Sequence, residues 1–484
     1  MTKKNRTALF LSLLILFLLV GPLTIFFCQG YRLDFKNKKV VQTGGLYLKI
    51  SPKESEIYIN NKLKKKTNFL TGSTFIKNLL PKKYKIEIKK EGYYPWSKEL
   101  EIKEKQVTDA KNIILFPKKI NFRTLSSTQK KIENFFISPD KKQIICLYSN
   151  SDNLKTNWNL ELLNIKEDTK TKLLSKKDFR SEARFLDLQW SPDSKKILIK
   201  IEYKGKLKNF ILELNKEKQL IPLKLSSDSF EKIFFSPNPG EIFLIKKQGK
   251  SNALFLYNYL NLNQKIVLND LICCKIFNKN IIWLKKDGFL YKSDLSGKIL
   301  EAINLKPLSI KQNSEYKLIF KNLSKIFLKE NNTLYYLDQK SKQFKEIFKH
   351  LQFLKFSPDV RKVVLTNHNE IWLFFLESQY EQPQEKIQNK VFLTRFSEKI
   401  DQIFWLNNYY LIFKIKASSL HQNSNNSKIK IIETDARDRI NIVNFPIFNL
   451  KENKEITKIF FSQIQKKLYI LASKNLYISD LLLP

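Results

Sequence analysis

The sequence predicts an all-β protein. Three observations carry this: one turn recurs between apolar runs, those runs are β-branched and aromatic, and the 13% aromatic content comes with only 11 glycines. The clearest copy of the turn is Trp190-Ser191-Pro192-Asp193-Ser194-Lys195-Lys196, which leads into Ile197-Leu198-Ile199. It returns as Phe136-Ile137-Ser138-Pro139-Asp140, Phe235-Ser236-Pro237-Asn238 and Phe356-Ser357-Pro358-Asp359. Proline pre-sets φ for the second position of a type I turn, and Ser before it and Asp or Asn after it bond nearby amides. The flanks are strand formers, so each unit reads as a hairpin.

Weaker copies without the proline fall at 275–283, 317–328, 403–413 and 459–462. Together they make about eight copies at intervals of roughly 37 to 56 residues, the range of propeller blades. A second hairpin is visible inside some copies, at 289–298 and 334–338. Four short strands per repeat, arranged radially, make a β-propeller. The spacing therefore predicts seven or eight blades over 118–484, against a stack of unrelated hairpins or a sandwich. Residues 120–125 are expected to pair with the last strands, near 468–471 or 476–478, and seal the ring.

At 484 residues with 43% hydrophobic content, the chain can fill more than one core. The formal charge of +41 is extreme and nearly all lysine. The lysines are spread over strands and loops as on a solvated surface. No arginine cluster with stacking aromatics marks a nucleic-acid module. Attraction to an anionic polymer or membrane surface fits the charge. Of the four cysteines, Cys146, Cys273 and Cys274 lie in expected strands and Cys28 ends an apolar segment. Adjacent strand residues face opposite ways, so Cys273 and Cys274 read as buried thiols rather than a chelating pair.

Residues 8–28 predict a transmembrane helix. Lys3, Lys4 and Arg6 precede a run of Leu, Ile, Phe and Val long enough to cross the roughly 30 Å hydrocarbon layer. Gly21-Pro22 is tolerable in such a helix. A cleaved signal peptide would show a small-residue cleavage site, and none follows. A lipoprotein signal would place small residues before Cys28, where Phe26-Phe27 stand. The reading is a single uncleaved anchor, with residues 1–7 cytoplasmic and the bulk of the chain extracytoplasmic at the cell membrane. Residues 29–43 read as a polar tether.

A compact β module follows over 44–117. Leu46–Ile50 alternates as a strand, and Glu56-Ile57-Tyr58-Ile59 is the next, closed by a tight Asn60-Asn61 turn. Tyr84-Lys85-Ile86-Glu87-Ile88 alternates strictly, and Glu91-Gly92-Tyr93-Tyr94-Pro95-Trp96 reverses the chain into 98–102. The strand with Ser51-Pro52, the Ile57-Tyr58-Ile59 strand with its turn, Leu80-Pro81 before Tyr84, and Lys90-Glu91-Gly92-Tyr93 resemble the PEGA domain, a small extracytoplasmic β-sandwich. The chain departs from that pattern at Pro52-Lys53-Glu54-Ser55, at Asn61 and at Lys82, all turn positions. The resemblance implies a surface- or wall-facing binding module and brings no catalytic residues. The repeated Ser-Pro-Asp turns make the propeller similar to the Tol-type and dipeptidyl-peptidase-like families. No α/β-hydrolase segment follows within the sequence, so no peptidase activity is expected.

No nucleophile elbow, phosphate loop or paired-cysteine motif is present. The histidines His350, His368 and His421 are far apart and read as surface residues, so neither a metal nor a cofactor is expected. Thr434-Asp435-Ala436-Arg437-Asp438-Arg439 reads as an ion-pair cluster on a solvated hairpin turn. Tyr93, Tyr94 and Trp96 are the candidate binding residues. They offer either a stacking platform for a sugar or peptide, or the module's own core and its dock onto the propeller. The functional expectation is a non-enzymatic, membrane-anchored scaffold recognising an anionic wall polymer, a glycan or an envelope protein. The alternatives are a cytoplasm-facing basic domain that binds nucleic acid or anionic lipid, and an enzyme with a propeller-centre site.

Overall fold

The computed structural model describes residues 3–483 except 36, 126–130, 150–156, 166, 168, 180–181, 215–218, 226–229, 249–250, 417–427 and 447–455. It is an all-β protein behind one N-terminal helix. The helix, Lys3–Cys28, contains Pro22, and its Asn5–Cys28 segment has a mean hydropathy of 2.7 with none of its surface buried. Residues 31–42, expected as a plain tether, instead form a hairpin in which Tyr31–Asp34 pairs antiparallel with Lys39–Gln42. The hairpin is fixed to the helix end by Arg32, whose guanidinium lies 3.4 Å from the Phe27 ring centre and donates to the Phe27 carbonyl at 2.7 Å.

The β module is a sandwich of two sheets. One has the order Ser73–Leu79, Gly44–Ser51, Val107–Ile114, and the other Lys62–Lys66, Glu56–Ile59, Lys83–Lys89, Trp96–Glu101. Alternate residues of the facing strands, Leu46, Leu48, Ile57, Ile86 and Ile88, are fully buried between them. Asn60 and Asn61 both adopt positive φ, 49° and 65°, as a two-residue hairpin turn with right-handed strand twist requires.

Among the described residues, the remaining strands form eight blades. Blade 1 spans Lys131–Ile137 to Thr169–Ser175, and blade 2 spans Ala183–Trp190 to Leu220–Pro222. Blades 3 and 4 share one strand. Gln264–Phe277 pairs through its first half with Ser251–Asn258 as the outer strand of blade 3, and through its second half with Asn280–Lys285 as the inner strand of blade 4. Asp270, at φ 56°, marks the corner. Blades 5, 6 and 7 begin at Tyr316–Phe320, Phe353–Phe356 and Ile400–Trp405. Blade 8 takes Ile456–Ser462, Lys467–Ala472 and Asn475–Ser479 from the C-terminal end, and its fourth strand, Phe122–Thr124, from the start of the domain.

The apolar side chains of the ring fall into eight inter-blade clusters. The second strands show why their sequences read as unbroken apolar runs. In blade 7, Leu411, Phe413 and Ile415 face blade 6, whereas Tyr410 and Ile412 face blade 8. In blade 1, Ile145 and Leu147 face blade 2, whereas Ile144, Cys146 and Tyr148 face blade 8. Both faces of each sheet are buried, so the two-residue period is hidden.

The Ser-Pro-Asp turns bind the first strand to the second. The Ser138 hydroxyl donates to the Asp140 carboxylate at 2.6 Å and accepts from the Gln143 amide at 3.0 Å. Ser357 repeats this with Asp359 at 2.6 Å and with the Lys362 amide at 3.2 Å. Partial burial pushes the Asp140 carboxyl up, but the Ser138 hydroxyl and the Lys142 amide prevail and hold it below its ordinary value. Closure of the ring yields a prediction. A chain truncated before Asn475 loses the partner of Phe122–Thr124 and buried Leu476, Tyr477 and Ile478. It should lose cooperative unfolding and melt far below the full chain, because an open ring exposes sheet edges. Differential scanning calorimetry reads this directly, and an unchanged melting temperature would contradict closure.

Candidate functional site

Two places concentrate chemistry: the seam between sandwich and propeller, and the propeller axis. The seam is built on an edge strand. Trp96–Glu101 ends its sheet, so its outward amides need partners from elsewhere. The Ser97 amide donates to Asn441 Oδ1 at 3.1 Å, and the Glu99 amide to Asp438 Oδ2 at 2.7 Å. Both acceptors lie in the link between the last two strands of blade 7. Lys98, 1% exposed, reaches Glu433 at 2.6 Å and the Asp435 carbonyl at 2.7 Å. Glu433, 2% exposed, also accepts from the Trp96 indole N–H at 2.8 Å and the Asn441 amide at 2.9 Å. Burial pushes the Glu433 carboxyl up, and the Lys98 ammonium and these donors work against it.

The three aromatics expected as binding residues meet here. Trp96 is 3% exposed and its indole is held by Glu433. The Tyr94 amide donates to the Phe116 carbonyl, and its ring packs on the cluster shared by blades 7 and 8. Tyr93, half-buried, bridges to Pro117 and packs on the sandwich core. Their apolar surface is thus spent on core and dock. The Asp435–Arg437 cluster is not a solvated turn but part of the same seam. Arg437 pairs with Asp435 at 2.6 Å and donates to the Asp109 carbonyl of the sandwich at 3.0 Å. Opposite charges spaced two apart signalled the pairing, and nothing local signalled the sandwich beneath it.

Lys362, 4% exposed, lines a cavity of about 50 Å³ at this seam, room for a water or two. In blade 2, the lysine that opens the second strand, Lys196, is opposite Glu213 in register and pairs with it. In blade 5, Lys325 pairs with Glu377 at 2.6 Å. In blade 6, the cross-strand position opposite Lys362 holds Phe375. The ammonium lies instead 5.3 Å from the Tyr409 ring centre, 5.7 Å from Phe375 and 6.0 Å from Trp405. Burial pulls its pKa down to about 8 against the resisting charges of Asp359, Asp435 and Glu385.

At the axis, the inner strands and their turns carry a second set of cations. Lys458 of blade 8 reaches into blade 1, donating to the Phe135 carbonyl at 2.7 Å and to Asn134 Oδ1 at 2.9 Å. Lys275 of blade 4 reaches into blade 5, donating to the Phe320 carbonyl at 2.7 Å. Lys141 and Lys321, in the turns of blades 1 and 5, come from opposite sides of an eight-membered ring. Even so, burial and then the charge of Lys321 depress Lys141. Burial and then Lys317 depress Lys355 of blade 6, and burial followed by Lys321 and Lys317 depresses Lys275. Among the described residues, none of these lysines has a carboxylate at ion-pair distance.

Among the described residues, no group of three His, Cys, Asp or Glu side chains converges as a metal site. His350 and His368 lie in separate links, and His421 is outside the described residues. Cys146 and Cys273 are buried, and desolvation pushes the Cys146 thiol up to about 12. No protein-family model and no curated protein matches this chain. Solved structures similar to it include the Dos1 propeller (12% identity, TM-score 0.45, covering 74% of this chain and 94% of that one). BamB from Moraxella catarrhalis matches at 10% identity and TM-score 0.42, covering 74% and 100%. The WD40 domain of SCAP from fission yeast matches at 9% identity and TM-score 0.42, covering 74% and 97%.

Two predictions follow from the charges of the seam. Glu433→Gln leaves buried Lys98 with only the longer contact to Asp435, 3.7 Å away, and should cost up to about 3 kcal/mol, the low end of the range for one broken half of a buried pair. Lys98→Met should also destabilise. The double variant should be less damaged than the sum of the two, measured as a coupling above about 1 kcal/mol in denaturant titrations. Lys362→Met should have the opposite sign. Its folded pKa near 8 lies below the ordinary 10.5, a shift worth about 3 kcal/mol. Below pH 8 both states carry the proton and the full penalty applies. Between pH 8 and 10.5 the folded state releases it first, so stability rises with pH. Lys362→Met should therefore melt higher at pH 7, and its advantage over the parent should shrink across that window.

Proposed function

We propose that this protein is a membrane-tethered, non-catalytic scaffold. One uncleaved helix anchors it, and a rigid head of PEGA-like sandwich and propeller faces out of the cytoplasm toward an envelope polymer, glycan or protein. The observation that carries the reading is the seam. A sandwich free to swing on its linker would act as a second module, whereas buried Lys98–Glu433 and the satisfied edge strand fix it to blade 7. Such a head presents one fixed surface at a set distance from the bilayer, as a scaffold requires. The exposed apolar Asn5–Cys28 segment and the hairpin seated on its end supply the tether. The sandwich docks on the face that carries the Ser-Pro-Asp turns, since Gln382, Tyr410 and the 433–441 link all emerge there. The opposite face is left for a partner.

The test is topological. Protease applied to intact cells should remove everything from Gly44 onward, and the released head should then be offered to wall polymers and surface proteins. If the head is protected in wall-stripped cells and cut only after lysis, the scaffold faces the cytoplasm. The net charge of +41 then favours an anionic lipid or nucleic-acid partner instead. Turnover of a substrate that disappears with a single acidic substitution would contradict the non-catalytic part.

A further inference from the structure

We propose that the 31–42 hairpin is a lipid-binding foot: Leu33, Phe35 and Val40 enter the bilayer that holds the Asn5–Cys28 helix, at the boundary between headgroups and acyl chains. The inference deepens the scaffold reading and rests on its membrane helix. Pairing divides the hairpin into two unlike faces. Leu33 is opposite Val40 in register and Tyr31 opposite Gln42, so these four side chains share one face, because cross-strand partners project to the same side. Arg32, Asp34, Lys39 and Val41 share the other. Leu33 and Val40 are 58% and 64% exposed. Phe35, in the turn beyond Asp34, is 86% exposed, and among the described residues no large apolar side chain is more so. The strands have four residues each and join no other sheet among the described residues. Such a ribbon is marginal in water unless something covers its apolar face.

The bilayer can cover it because of where the hairpin is tied. The Tyr31 ring meets the Phe26 ring edge-on, with centres 5.4 Å apart. Gln42 Nε2 donates to the Gln29 carbonyl and the Thr43 amide to the Gly30 carbonyl, each at 2.9 Å. Arg32 completes the seat through the Phe27 ring and carbonyl. A 24-residue span rising about 1.5 Å per residue reaches about 36 Å, against roughly 30 Å of hydrocarbon. The helix end and the base of the hairpin therefore lie at the membrane surface, the level at which tyrosine is enriched. Through Tyr31 the apolar face of the hairpin continues the exposed surface of the helix. Lys39 and Asp34, on the other face, stay in water. Helix and foot together give the head two attachments, which limit its tilt.

The test is fluorescence of the full chain reconstituted in phosphatidylcholine vesicles. Cysteine variants are labelled with NBD in a Cys28→Ser background, and the background chain alone is the blank. Phe35→Cys and Val40→Cys should emit at shorter wavelength than Asn61→Cys in the exposed sandwich turn. Lipids with a nitroxide near the top of the acyl chain should quench them at least twofold more. Lys39→Cys should behave like Asn61→Cys. Leu16→Cys, in mid-helix, should be quenched by a nitroxide deep in the chain, which checks the span itself. Equal quenching at Val40→Cys and Lys39→Cys would mean that the hairpin meets lipid with no preferred face, and would overturn the proposal. Short-wavelength emission without lipid quenching would overturn it in favour of contact with protein. Quenching at Leu16→Cys but not at the hairpin removes the foot and leaves the span. Absence of quenching at Leu16→Cys removes both.

Discussion

Ring closure is the constraint on which the rest depends. Each blade buries both faces against its neighbours, so no blade has a core of its own. The eight inter-blade clusters exist only if the first and last blades meet. Blade 8 achieves this by taking Phe122–Thr124, so the ends of the domain are joined in one sheet. The cluster between blades 8 and 1 draws Leu125 and Phe135 from one end and Tyr469 and Ile478 from the other. Every inner strand is thereby held around one axis.

The sandwich extends the same logic. An edge strand beside a propeller invites either open pairing or capture, and here Asn441 and Asp438 take the amides of Ser97 and Glu99. Side-chain acceptors satisfy the edge without continuing the sheet, so two β domains abut without merging. Burying Lys98 against Glu433 adds a condition on register. A slip of one residue would turn Lys98 to the other face and leave both charges unpaired, which the low dielectric of the seam penalises heavily. Orientation is the gain, more than raw stability.

Much of the fold was legible because its signals are local. The Ser-Pro-Asp turns and their weaker copies mark the first hairpin of the blades, and the 120–125 segment pairs with the last strand as its pattern suggests. What stayed hidden has physical reasons. Lys62–Lys66 is exposed along its whole length, so it carries no apolar alternation to read. Gln264–Phe277 serves two blades without a turn between them, which removes the punctuation that separates repeats elsewhere. The 31–42 hairpin lacks a buried face and leans on Arg32 and Phe27. At the seam, Trp96 and Glu433 are 337 residues apart, and no local pattern links them. The aromatic cluster was visible, but its surroundings were not.

The lysines mark the limit of composition as a guide. With 87 Lys and Arg in the chain, most basic residues lie where water solvates them and carry little information. Position separates the informative ones. Lys196 and Lys325 stand where a carboxylate meets them, and Lys98 is buried together with Glu433 and beside Asp435. Lys362, Lys275 and Lys458 share the opposite condition, buried or partly buried cations with no carboxylate at ion-pair distance among the described residues. They differ in what surrounds them. Around Lys362, aromatic rings close on one ammonium, and the cavity beside it holds only about 50 Å³. Lys275 and Lys458 are instead held by carbonyls of the neighbouring blade, at 2.7 Å each. A caged charge is tolerated through the rings and a weakened hold on its proton, whereas an ammonium tied to a carbonyl keeps a hydrogen-bond partner across the blade boundary.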